Sequence, residues 1–171
     1  MKKKFVYITI LLLIIILQTS MLPVIVSNEV VPNMLLMAIL AWSVLDGFSA
    51  FLGWAIFAGI LYDLAAYSPI GVSVLIFVLA VYFVSFFSRR LTVELKGMGI
   101  LFFVMFVIVA TIISRFILAL SISWELKTLH DYWKIFGSFG SISVAIICNE
   151  ILFFVLFIVI RKIKKFFEIE N

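Results

Sequence analysis

The chain has 171 residues, of which 66% are hydrophobic and 13% are charged, and its formal net charge is +4 at pH 7. Soluble globular domains are about half apolar and about a quarter charged, so this composition excludes that class and indicates an integral membrane protein. A single cysteine, Cys148, excludes a disulfide framework, and one histidine cannot build a Cys/His metal site, so we expect no structural metal and no cofactor. The basic excess suits membrane topology and anionic lipid head groups, and nucleic acid need not be invoked.

Several apolar segments of helical composition follow one another along the chain, separated by short polar connections. Because these runs are long enough to cross a hydrocarbon core of about 30 Å, we predict an all-α polytopic bundle of about six transmembrane helices. It forms one integral membrane domain over residues 1–171, with spans at 5–26, 31–45, 48–66, 70–88, 97–122 and 135–160. The second span is short for a full crossing, which takes about 20 residues.

The first span follows three lysines, Lys2 to Lys4, and superficially resembles a signal peptide. We interpret it as a retained span, because its apolar run exceeds the roughly 7–15 residues of a signal core. The residues from Gln18 to Pro23 also offer no small-x-small cleavage site. Further along, Pro32 suits the first turn of the second helix, and Asp46 is the predicted N-cap of the third.

The third span is the most informative, because its end places one carboxylate, Asp63, inside an otherwise apolar run. Pro69 and Gly71 follow in a turn, and the proline disfavours helix for the residue before it. An ionisable group about one turn inside a membrane helix is costly unless it is paired or reaches water. Asp63 therefore marks a place where something is held, or it only caps neighbouring backbone near the interface.

Small residues recur four apart on the same span. Gly53 follows Ser49, and Gly59 follows Ala55, at the small-xxx-small spacing that lets two membrane helices approach closely. We predict that Gly53 and Gly59 lie on a helix-packing surface, whose outer end is fixed by Asp63 and the Pro69–Gly71 turn. The alternative is that small residues are simply common in membrane helices.

Three formal charges lie inside the predicted spans: Asp63, Arg115 and Glu150. One arginine among two carboxylates is the arrangement expected if the charges satisfy one another, and Asn149 extends the predicted intramembrane polar network. Arg115 reaches Asp63 or Glu150, but hardly both. We favour structural pairing over a proton or ion relay, because a relay needs polar groups across the full thickness of the membrane.

Basic residues outside the spans are distributed unevenly. With six spans and a cytoplasmic start, ten lysines and arginines face the cytoplasm and two face outward, a clear positive-inside bias. We therefore predict that both termini are cytoplasmic. The ten are Lys2, Lys3, Lys4, Arg89, Arg90, Lys96, Arg161, Lys162, Lys164 and Lys165, and the two are Lys127 and Lys134.

Enzyme signatures do not occur in the sequence. It contains no H-E-x-x-H motif and no Gly-rich phosphate loop, and Asp46–Gly47 lacks the further aspartates that hold metal ions in membrane phosphotransferases. His130 lies beside Asp131, but we interpret it as a solvated loop histidine. We expect no catalysis and no catalytic residues.

The stretch from Gly59 to Asp63, followed by Pro69, Ile70 and Gly71, resembles the MreD family of rod shape-determining proteins. In that family the third span ends in G-hydrophobic-hydrophobic-x-D, followed by a short turn and P-L-G. Length, short loops, Pro32 opening the second span and Asn149 in the last span are also similar. Ile70 replaces the usual leucine, and Asn33 stands where an acidic residue is often found.

The resemblance implies a non-enzymatic scaffold of the cell-elongation machinery in the bacterial inner membrane. Its implied partners are the single-span protein MreC, the actin-like MreB and elongation-specific peptidoglycan synthases. The alternative is a vitamin-binding subunit of an energy-coupling-factor transporter, which is similar in size and helix count. Such subunits tend to carry an alanine-x-x-x-alanine dock in the first span, and residues 5–26 contain no alanine.

Overall fold

The computed structural model of the chain describes residues 2–25, 32–88, 98–126 and 136–167. Within these ranges the regular structure is helical and no strand occurs, which confirms the predicted all-α class. The His130–Asp131 pair lies outside the described residues. So do five loop residues of the charge count, namely Arg89, Arg90, Lys96, Lys127 and Lys134.

Six helices occupy the described ranges, and we number them in chain order. The first, α1, runs from Lys2–Ile16 through a π-helical turn at Leu17–Met21 into Leu22–Ile25. The others are α2 (Met34–Asp46), α3 (Phe48–Ala65), α4 (Val72–Ser88), α5 (Met98–Leu126) and α6 (Phe139–Phe166).

The helices differ in length. Three stretches are long and apolar enough to cross a membrane, judged by length and composition: Lys4–Ile25, Ile100–Trp124 and Phe139–Phe166. α2, α3 and α4 are shorter apolar helices. α2 has only 13 residues, which is about 20 Å at 1.5 Å per residue. The six predicted spans thus correspond to three full-length helices and three shorter ones.

The last helix is shifted relative to its predicted span, 135–160. Ser138 is its N-cap and accepts a hydrogen bond from the Ser141 N–H, while Gly137 before it takes the left-handed conformation at φ +96°. At the other end α6 continues to Phe166 and includes Lys164 and Lys165 in its last turn. Basic side chains stabilise a helix C-terminus because they complement its dipole. Lys164 and Lys165 are therefore part of α6, whereas the predicted span ended before them.

Asp46 does not play the predicted role of N-cap for α3. It is the last residue of α2, and Gly47 forms the junction with φ +80°, without a side-chain cap for α3. A glycine is needed there because other residues rarely adopt positive φ. The Asp46 carboxylate instead accepts hydrogen bonds from Tyr7 and Lys164.

The short helix α2 lies at the centre of the described structure. All nine residues from Leu35 to Ser43 are buried, and the fully buried Trp42 stacks on Phe51 of α3 with ring centroids 5.5 Å apart. α2 contacts α1, α3, α4 and α6. A helix that is apolar on every side is stable only when other helices surround it, and α2 is that core element.

Candidate functional site

The α3–α4 hairpin is organised around Asp63, which is 1% exposed. Its carboxylate accepts hydrogen bonds from the Ser68 hydroxyl at 3.0 Å, the Gly71 N–H at 2.7 Å and the Ser73 N–H at 3.2 Å. Two of these donors are backbone groups at the start of α4, which a helix leaves without internal partners. Asp63 therefore joins the end of α3 to the beginning of α4, as an acidic cap from the preceding helix.

The turn between the two helices has the backbone that this cap requires. Gly71 adopts φ +101°, a conformation that side chains disfavour, and so directs its N–H to Asp63. The Pro69 carbonyl accepts from the Val72 N–H at 3.3 Å, and the Asp63 carbonyl accepts from the Ser68 N–H at 3.1 Å. Asp63, Pro69 and Gly71 thus act as one unit, which holds the sharp reversal of the chain.

Gly59 lies where α3 and α4 approach most closely. A Cβ atom at this position would be 2.7 Å from the Val74 Cα and 2.8 Å from the Val74 nitrogen. The backbone of α4 thus occupies the space that a side chain would need. The contact is internal to the chain.

Gly53 differs from Gly59, although both were predicted on one packing surface. Gly53 is exposed, and a Cβ atom there would meet nothing within 4 Å. Within the described residues it contacts no neighbouring helix, so this part of the prediction is corrected for packing inside the chain. Contact of Gly53 with a partner stays a prediction.

Arg115 does not form the predicted ion pair with Asp63 or Glu150. Its Nη1 donates a hydrogen bond to the Phe136 carbonyl at 3.3 Å, at the approach to α6. Asp63 is already satisfied by the hairpin, and among the described residues the salt bridge joins Lys164 to Asp46. The predicted network of intramembrane charges is therefore replaced by separate local contacts.

Asn149 forms hydrogen bonds with Asn33 and Thr111, and not with the charged residues of the predicted network. Its Oδ1 accepts from the Asn33 N–H at 2.9 Å, and its Nδ2 donates to the Thr111 hydroxyl at 2.9 Å. Asn33 in turn caps α2, because its Oδ1 accepts from the Leu36 N–H at 2.9 Å. Asn149 is 2% exposed and Thr111 is 1% exposed, so these are interior hydrogen bonds.

Gln18 completes this cluster and was missed as a site residue by the sequence analysis. It is 4% exposed and lies in the π-helical turn of α1. Its Oε1 accepts from the Leu35 N–H at 2.7 Å, and its Nε2 donates to Asn33 Oδ1 at 3.2 Å and to the Tyr62 hydroxyl at 2.9 Å. An amide inside an apolar span was the available signal, since such a group needs partners.

We call this cluster the polar hub, and it joins five of the six helices. Each member has at least one hydrogen bond to a residue on another helix or at its entry. Tyr62 directly precedes Asp63, so the polar hub and the hairpin cap are adjacent on α3. The members are Gln18, Asn33, Tyr62, Thr111 and Asn149.

A family comparison relates this geometry to known proteins. The family model of the rod shape-determining protein MreD matches residues 1–166. The chain belongs to the MreD family. The resemblance carried by Gly59, Asp63 and the Pro69–Gly71 turn is therefore confirmed, and the vitamin-binding alternative receives no support. No curated protein and no solved structure matches the chain.

As a member of the MreD family, the chain is a rod shape-determining membrane protein, and its buried polar groups hold helices together. Asp63 and Asn149 both form hydrogen bonds with groups of the chain itself. Within the described part of the chain no three His, Cys, Asp or Glu side chains are grouped to hold a metal ion. These polar groups hold helix ends and tightly packed contacts between helices in place, as expected of a shape-determining structural family.

Glu150 differs from the other polar side chains of the predicted intramembrane network, because it has no hydrogen-bond donor among the described residues. Both carboxyl oxygens are buried, and no described residue donates a hydrogen bond to them. The neighbouring Asn149 has its partners on α5 and at the start of α2, so the two adjacent polar residues of α6 have different surroundings.

Proposed function

We propose that this member of the MreD family is a non-enzymatic scaffold of the cell-elongation machinery. It crosses the bacterial inner membrane six times and links an MreC-like single-span protein, MreB-like filaments and peptidoglycan synthases. The observation that carries the proposal is the family match over residues 1–166. The structure is compatible with it, because hydrogen bonds of the polar hub and the hairpin cap join the helices while many apolar side chains are exposed on the outside.

Six crossings are supported by how the structure begins α2. Non-helical backbone at membrane depth is tolerated only where protein groups satisfy its N–H and C=O groups. The Asn33 and Leu35 N–H groups donate to the side chains of Asn149 and Gln18, which lie inside the two long helices α6 and α1. This is the arrangement that a short helix needs if it starts within the hydrocarbon.

A contact with anionic lipids is supported at the end of α6. Arg161, Lys162 and Lys165 are exposed there, and Phe166 and Phe167 beside them are 81% and 46% exposed. Basic side chains close to the membrane surface attract anionic head groups, at about 1 kcal/mol per residue. The C-terminal end of α6 thus suits the cytoplasmic leaflet.

Copurification from native membranes tests the scaffold. The tagged protein, isolated in mild detergent from a rod-shaped host, is expected to bring down the host's MreC-like protein. An unrelated six-span protein carrying the same tag is the control. Loss of the protein should turn rods into rounded cells, because lateral wall synthesis loses its membrane scaffold. Normal rods without the protein, or absence of all the proposed partners, would contradict the proposal.

A further inference from the structure

Glu150 is placed where an unpaired carboxylate is hardest to keep. It lies eleven residues after Phe139, the first residue of α6, which is about 16 Å along the helix and near the middle of a core of about 30 Å. Each of its carboxyl oxygens exposes less than 1 Å², and no donor reaches them among the described residues. A charge at that depth is costly unless it is paired.

The other buried carboxylates of the described structure have donors. Asp63 receives three hydrogen bonds from the hairpin, and Asp46 receives those of Tyr7 and Lys164. The fold therefore supplies hydrogen-bond donors to the two carboxylates, Asp63 and Asp46, that join its helices. Glu150 has no donor among the described residues, which leaves room for a donor from a partner.

Glu150 lies at the border between the buried and the exposed face of α6. On one side are the buried residues Phe153 and Phe157. On the other side is a stripe at helical spacing, formed by Ile147, Ile151 and Ile158, which are 59%, 61% and 52% exposed. The Glu150 residue as a whole is partly exposed although its oxygens are buried, so its methylene groups lie at the edge of this stripe.

We propose that the isoleucine stripe of α6 receives the transmembrane helix of the single-span partner, and that a lysine or arginine of that helix pairs with Glu150. The inference rests on the proposed function, which provides such a partner. A cation is the group that best satisfies a carboxylate within hydrocarbon, because opposite charges pair there at short range. Glu150 has several rotatable bonds, and the pairing requires a change of rotamer that turns its carboxylate toward the stripe.

A second copy of the chain fits this site less well than a different protein. The exposed cations of α6 are Arg161, Lys162 and Lys165. The first of them lies eleven residues beyond Glu150, or about 16 Å along the helix. Two copies side by side in one membrane have the same depth, so neither brings these cations to the other's Glu150.

Photo-crosslinking tests the docking surface in the full-length protein, expressed together with the host's MreC-like protein. A photoreactive residue at Ile151 is expected to crosslink to the transmembrane segment of that protein. The matched control is Leu75 on α4, which is 51% exposed and lies on a different helix from the isoleucine stripe; it should give no such crosslink. Crosslinks from both positions, or only from Leu75, would overturn the assignment.

The charge is tested separately. Glu150→Gln keeps the shape of the side chain and should leave abundance normal, while lowering copurification of the partner by at least about tenfold, as for a buried charge pair that loses one member. Glu150→Lys combined with a glutamate at the partner's basic position should restore it. Unchanged copurification with Glu150→Gln would refute the pairing.

Failure of this inference is distinguishable from failure of the proposed function. If the unmodified protein copurifies its single-span partner but Ile151 crosslinks only to lipid or to a second copy, the docking surface is refuted and the scaffold stands. If the unmodified protein copurifies none of the proposed partners, the scaffold is refuted and this inference with it.

Discussion

Asp63 shows how one buried carboxylate is satisfied without an opposite charge. It accepts from two backbone N–H groups and one hydroxyl, and all three donors lie within ten residues along the chain. Hydrogen bonds to an ionised acceptor are about twice as strong as neutral ones. The short distance in sequence between Asp63 and the Pro69–Gly71 turn therefore supplies the donors that the carboxylate needs. Of the two interpretations of Asp63 in the sequence analysis, the structure shows the cap of neighbouring backbone.

Removing this cap should weaken the protein. Asp63→Ala leaves the N–H groups of Gly71 and Ser73 buried without an acceptor, which costs about 1–3 kcal/mol for each unsatisfied group. We expect a lower thermal unfolding midpoint in detergent and reduced abundance. Asp63→Asn keeps one acceptor oxygen, so its unfolding midpoint should fall between those of the unmodified protein and Asp63→Ala.

The control for this prediction is Leu64→Ala on the neighbouring residue, which is 56% exposed. It should leave the midpoint unchanged. Equal midpoints for Asp63→Ala and Leu64→Ala would show that the cap contributes nothing.

At the scale of helices, the α3–α4 pair is held by backbone proximity. Gly59 allows Val74 of α4 to approach so closely that a single added carbon atom would lie 2.7 Å from the Val74 Cα. Ala55 and Ala58, on the same part of α3, are fully buried. Small side chains at such an interface increase van der Waals contact where lipid offers no hydrophobic drive.

Gly59→Leu and Gly53→Leu make a matched pair on one helix. Gly59→Leu forces α3 and α4 apart, because the neighbouring atoms are backbone and cannot rotate away, so we expect a large loss of abundance. Gly53→Leu points into open space within the chain and should insert at normal levels. For both variants, immunoblotting measures abundance, and copurification of the MreC-like protein measures partner binding.

The Gly53 variant also tests the earlier prediction of a partner contact. If Gly53→Leu is abundant but no longer copurifies the MreC-like protein, Gly53 faces a partner. Normal abundance of Gly59→Leu would contradict the internal packing that the structure assigns to it.

The sequence predicted the helices better than the contacts between them. Apolar runs and breaks gave six helical segments, and the spacing in Gly59 to Gly71 predicted the hairpin with its buried acid. The position of a residue along a helix gives its depth but not which neighbour it faces. The structure therefore does not show the predicted pairing of Arg115 with Asp63 or Glu150. Gln18 was missed because its partners, chiefly the start of α2, are created by the tertiary fold.

For the molecule as a whole, α2 is held at both of its ends. The polar hub satisfies its N-terminal N–H groups through Gln18 and Asn33. At its C-terminal end Asp46 accepts from Tyr7 of α1 and Lys164 of α6. Hydrogen bonds from α1 and α6 thus reach both ends of α2, which explains how a 13-residue segment forms the core of the described structure.

The Asp46 cluster also bears on topology. Tyr7 lies near the start of α1 and Lys164 near the end of α6, and both contact the same carboxylate. The start of α1 and the end of α6 therefore lie at one end of the bundle, which requires an even number of crossings if both helices span the membrane. From the ten-to-two excess of basic residues we predict that this end of the bundle is cytoplasmic.

We expect cysteine labelling in intact cells to follow this topology. In a Cys148→Ser background, Lys165→Cys and Lys4→Cys should be protected from a membrane-impermeant maleimide and react only after lysis, because both lie on the cytoplasmic side. Lys127→Cys, on a predicted outer loop, should react in intact cells. Labelling of Lys165→Cys from outside would refute cytoplasmic termini. If only one of Lys4→Cys and Lys165→Cys is protected, the number of crossings is odd, and the Tyr7–Asp46–Lys164 contact cannot form across the membrane.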